Sequence, residues 1–141
     1  MEGGEFRGLR WECGGDEGSW VGSGLARIGR IWMQPGAESD VARTFVVPAK
    51  GKLSIFGSIH KDPSAENGQP AWARILHNDQ QVWPESGWAE VPPFYSKGLS
   101  HEVETITGSA QDMVRFVVRH SERNIPDPVI WNPRIVMDRE D

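Results

Sequence analysis

A chain of 141 residues with one cysteine and a formal net charge of −5 has room for a single domain with one core. It cannot form an internal disulfide, and its surface repels a polyanion such as nucleic acid unless a local basic stripe overrides the field. Hydrophobic residues at 38% and charged residues at 25% set it apart from disordered chains, and no apolar run approaches the roughly 18–20 residues that span a bilayer.

Residues 1–24 are glycine-rich with Trp11 and Trp20 embedded, which predicts irregular chain or short edge strands. The segment starts acidic rather than basic-then-apolar, so an export signal, if the protein carries one, is expected outside this sequence. From residue 25 to 137 the pattern is that of a core sandwich. Short runs rich in Val, Ile, Phe and Trp are each closed by Pro, Gly, Asn or Asp, the signature of antiparallel strands. They predict about eight strands, at 26–33, 41–47, 52–60, 71–77, 80–83, 102–107, 113–120 and 129–137, with few or no helices, since sixteen glycines and ten prolines leave little uninterrupted helical sequence.

The two-residue period assigns faces. Leu53, Ile55, Gly57 and Ile59 share one face of their strand, with Ser54, Phe56 and Ser58 on the other. Ala71, Ala73 and Ile75 form a small apolar face that leaves Trp72, Arg74 and Leu76 outward. Val114, Phe116 and Val118 alternate with Arg115, Val117 and Arg119, so the outer face of that strand is mostly basic. "HNDQQVWP" reads as a hairpin turning at Asn78-Asp79, residues suited to positive φ. The longest connections, 60–70 and 85–100, are where binding function tends to sit.

Catalytic motifs are absent. "GSGLARIG" from Gly22 imitates a dinucleotide-binding loop, but Arg27 stands where the third glycine belongs and no βαβ pattern follows. His60, His77, His101 and His120 are dispersed, and His101 has Val103 two residues on rather than a second ligand, so a zinc site is not expected. No G-x-S-x-G elbow occurs, and the scattered carboxylates show no acid/base pair. Asp62, Glu66 and Asn67, or Asn78 and Asp79, offer hard oxygens to a structural calcium ion, without EF-hand spacing.

Seven tryptophans are more than one small core needs. Trp32, after Ile31 in a strand, reads as core, and Trp131 in "VIWNPRI" as half-buried. Trp72, Trp83 and Trp88 fall on an outward face, at a strand end and in a loop. There an indole either stacks on the C–H face of a sugar ring or plugs the open end of a sandwich. The expected ligand-binding residues are Trp72, Arg74, Trp83 and Trp88, with His60 and Tyr95. Trp83 is open to both readings, and Trp88, on the loop, is expected free to meet a ligand.

The segments "DVARTFVVPAKGKLSIFGSIHKD", "ARILHNDQQVWP", "AQDMVRFVVRH" and "DPVIWNPRIVM", in this order and spacing, resemble a non-catalytic β-sandwich (jelly-roll) module appended to bacterial glycoside hydrolases and polysaccharide lyases. The likeness rests on Arg43-Thr44-Phe45, Trp83-Pro84, Asp112 with Val114, Phe116 and Val118, and Trp131 with Pro133 and Ile135. Asp79 and Ala110-Gln111 stand where that pattern has glycines, and Asn132 where it has aspartate. The resemblance implies an ancillary carbohydrate-binding domain of a larger secreted enzyme, extracellular or periplasmic, not itself an enzyme. Its partners would be a polysaccharide or oligosaccharide and the catalytic domain, with no nucleic acid and no membrane. A structural spacer packed on a catalytic domain is the alternative, followed by a small glycan-active hydrolase or lyase.

Overall fold

The computed structural model describes residues 8–14, 17–22, 26–36, 38–63, 70–93, 98–120 and 128–140. Among these, thirteen strands form and no α-helix does. The strands make two antiparallel sheets packed against each other, an all-β sandwich.

The larger sheet runs β1 (Arg10–Gly14), β2 (Glu17–Val21), β3 (Arg27–Ile28), β4 (Trp32–Gln34), β12 (Val129–Trp131), β6 (Gly51–Lys61) and β10 (Leu99–Gly108), with β13 (Arg134–Arg139) also paired to β6. The smaller runs β5 (Val41–Val46), β11 (Met113–His120), β7 (Ala71–His77) and β8 (Gln80–Trp83), and β9 (Ala89–Val91) pairs with β7 as well. Alternation decides which side chains meet in the middle. Leu53, Ile55 and Ile59 of β6 face Ala73 and Ile75 of β7 and Val114, Phe116 and Val118 of β11 in one apolar cluster closed by Met33, Val129 and Trp131. Each such large apolar side chain, fully removed from water, contributes about 1.5–3 kcal/mol.

The count exceeds eight because two expected strands are each broken in two, the N-terminal segment forms the pair β1 and β2, and the short β9 follows β8. Residues 26–33 do not run straight: the Gly29 N–H donates to the Trp32 carbonyl (2.9 Å), and β3 folds back on β4 with Ile28 opposite Met33. A Cβ at Gly29 would lie 2.1 Å from the Trp32 ring, so only glycine lets the indole lie there. Trp32 is therefore half-buried on the outer face beside Ile130, not in the core; its neighbour Met33 is. Residues 129–137 break at Asn132-Pro133, since proline has no N–H to give the ladder, and pairing with β6 resumes at Arg134 opposite Phe56. In the N-terminal segment β1 and β2 form a hairpin that places Trp11 opposite Trp20 at the sheet edge.

Arg43 of β5 points inward, opposite Phe116. Its Nη2 donates to the Gly29 carbonyl (2.8 Å), and burial lowers its pKa. The hairpin at Asn78-Asp79 forms as expected, Asn78 at φ 53. Its side chain accepts from the Met113 N–H (2.9 Å), tying this turn to the one at 109–112. There Asp112 accepts from the Ser109 N–H (2.8 Å) and from His77 Nε2 (2.8 Å). These bonds, the backbone one first, hold its carboxyl below the usual carboxylate range. Gln111 sits at φ 74 in this turn, where glycine carries no steric cost. Gln111→Gly is expected to raise stability by about 0.5–1 kcal/mol, read as a small upward shift of Tm; a downward shift would mean that the Gln111 side chain makes a compensating contact.

Candidate functional site

β8 and β9 are two halves of one edge strand. Both pair with β7, Trp83 opposite Ile75 and Ala89 opposite Ala73, and between them the chain leaves the ladder as a loop over 84–88. Gln81 holds that loop, its Nε2 donating to the carbonyls of Pro84 (2.9 Å) and Gly87 (2.8 Å). Gly87, at φ 67, supplies the left-handed turn that brings the chain back. The loop thereby sends its two tryptophans to opposite sides of the sheet.

Trp83 turns inward. It packs against the core, its ring 5.2 Å from that of His101 and tilted by 51°. His101 is buried and its Nε2 accepts from Trp131 Nε1 (2.9 Å), so the ring proton of the neutral form resides on Nδ1, which has no hydrogen-bond partner. Burial pushes the His101 pKa down to about 4. Trp131 is fully buried rather than half-buried, edge-on to Phe116. This packing of a half-buried ring on the core is the arrangement expected of the plug.

Trp88 turns outward, onto the outer face of the smaller sheet. It is not a bare loop ring: it is half-buried, with the Arg74 Cζ 4.3 Å and the Arg119 Cζ 4.4 Å from its centroid. Both guanidiniums sit over its π-system, the geometry of a cation–π contact. Arg119 is held by Asp40, Nε to Oδ1 2.8 Å and Nη2 to Oδ2 3.0 Å. Arg74 makes no ion pair among the described residues. Its Nε is shielded from solvent without a hydrogen-bond partner, and burial, then the charge of Arg119, lower its pKa. Trp72 lies on the same face, between Arg119 of β11 and Glu90 of β9. Val117, cross-strand partner of Arg74, also points to this face, yet it is 0% exposed and outside the core cluster. The side chains above it form a cover rather than a loose fringe.

The structure thus brings Trp72, Arg74 and Trp88 together and separates the other expected residues from them. Trp83 is on the inner side. His60 is on the outer face of the larger sheet, within 3.2 Å of the Ser58 hydroxyl, and Tyr95 lies outside the described residues. Sequence reasoning missed Arg119, Asp40 and Gln81. The basic alternation along β11 carried a signal for Arg119; nothing in the sequence pattern marks Asp40 or Gln81. Among the described residues no three His, Cys, Asp or Glu side chains are grouped to hold a metal ion; Glu66 and Asn67, two of the expected calcium ligands, lie outside them, and Asn78 spends its carbonyl oxygen on Met113.

The groups assembled here offer flat apolar rings and planar N–H forks, the means of stacking and of bidentate hydrogen bonding. No protein-family model matches the chain, and no curated protein does.

Proposed function

We propose that the chain is a non-catalytic carbohydrate-binding module whose glycan lies on the outer face of the smaller sheet, along Trp72, Arg74, Trp88 and Arg119. The observation that carries this reading is the Trp88 indole fixed under two guanidiniums, on the outer face of the smaller sheet and outside the core cluster. Trp72 supplies the ring for a pyranose, and Trp88 fixes the arginines that meet its hydroxyls. The resemblance to ancillary modules of secreted carbohydrate-active enzymes points the same way. A few rings and hydrogen bonds of this kind give affinities in the micromolar to millimolar range, which a tethered catalytic domain raises through avidity.

Titration of intrinsic tryptophan fluorescence with a polysaccharide panel tests it. Binding quenches or shifts the emission; no response to any glycan sinks the reading. Trp88→Ala is expected to abolish retention in affinity gels. Because it removes two cation–π contacts and a half-buried ring, it also lowers stability by about 1–2 kcal/mol. The second reading, a face that docks on a catalytic domain, draws on the same residues, since Trp and Arg are the side chains most enriched at interface hot spots. It predicts fluorescence indifferent to glycans and sensitive to the catalytic partner.

A further inference from the structure

On the glycan-binding reading, the charge of the outer face restricts the kind of sugar it takes. Two guanidiniums share one indole, and Asp40 engages one of them. Arg115 adds a third positive charge on the same side of β11, against which the face sets Asp40 and, next to Trp72, Glu90. Arg74 is the member with no ion pair among the described residues and with a shielded Nε that lacks a partner. Holding two like charges over one half-buried ring is unfavourable, and an anion placed between them offsets that cost.

We propose that the bound sugar is anionic, its carboxylate or sulfate seated against Arg74 at the edge of Trp88. A guanidinium fork matches the two oxygens of either group bidentately, whereas a neutral sugar offers hydroxyls and leaves the Arg74 charge uncompensated. The net charge of −5 opposes a polyanion at long range. At physiological ionic strength, though, charges beyond about 8 Å are largely screened, so the local arginines decide. A nucleic acid is disfavoured because it asks for a row of phosphate contacts, and Arg119 on this face is already engaged by Asp40.

The test compares charged glycans with their neutralised forms on the full chain by calorimetry: polygalacturonate against its fully methyl-esterified form, and a sulfated galactan against its desulfated form, with single-stranded oligothymidylate alongside. The expected result is binding to at least one acidic glycan about tenfold tighter than to its neutral form, roughly 1.4 kcal/mol, with the preference lost in Arg74→Gln. Which pair shows the difference identifies the anion. Equal binding to charged and neutral forms overturns this inference and leaves glycan binding standing. No binding to any glycan overturns both. Tighter binding to oligothymidylate than to either acidic glycan overturns the assignment in favour of a nucleic acid.

Discussion

Replacing Trp131 with phenylalanine is expected to lower the unfolding free energy by about 2–3 kcal/mol, seen as a lower urea midpoint with an unchanged m-value. The indole is fully buried, edge-on to Phe116, and its N–H is the partner of His101 Nε2. Phenylalanine leaves a cavity where the larger ring was and strands a nitrogen that is already out of reach of water. His101 Nδ1 is unpartnered in the native protein, so the variant holds an imidazole with neither nitrogen satisfied. A loss under about 1 kcal/mol would mean that His101 turns to find a new partner, because an unsatisfied buried group costs about 1–3 kcal/mol.

Acidification is expected to have a similar effect through the same pair. His101 has a pKa of about 4 in the folded protein against 6.5 ordinarily, because burial penalises the charged ring. Above the ordinary value both the folded and unfolded chains hold a neutral imidazole and stability is at its full level. As pH falls, the unfolded chain takes up the proton first. Stability is therefore lost progressively between about pH 6.5 and 4 and levels off below, for a total of about 3 kcal/mol. Asp112, whose pKa is lowered, adds its own loss further down, as its carboxylate is protonated. Denaturant midpoints measured across this range in the native protein and in His101→Phe separate the two: the variant starts lower at pH 7 but shows a flatter profile between pH 6.5 and 4. Parallel profiles would place the acid sensitivity elsewhere.

The β-sandwich was legible where alternation is strict. Leu53, Ile55 and Ile59, and Val114, Phe116 and Val118, state both the strand and its buried side, and all are core. Alternation says nothing of where a ladder breaks. Gly29 and Pro133 interrupt runs that are otherwise continuous in composition, and β9 is three residues long, too short to carry a period. Trp131 was misjudged because its burial follows from lying opposite Ile59, a matter of pairing between distant segments. Part of the candidate site was legible for the same reason as the strands: Trp72 and Arg74 lie outward because Ala71, Ala73 and Ile75 lie inward. That Trp88 meets Arg74 and Arg119 was not, since it depends on the path of a loop that Gln81 holds by two side-chain hydrogen bonds.

The chain departs from β7 after Trp83 and rejoins the same strand at Ala89. Alignment is thereby set independently at either end, and Glu85, Ser86 and Gly87 are all exposed. Composition at Glu85 and Ser86 is free to vary without shifting a hydrogen bond of the sheet, while Gly87 stays fixed by its positive φ and by the bond its carbonyl accepts from Gln81. This makes the excursion the natural place for related proteins to diversify specificity, and for an engineer to graft a new one.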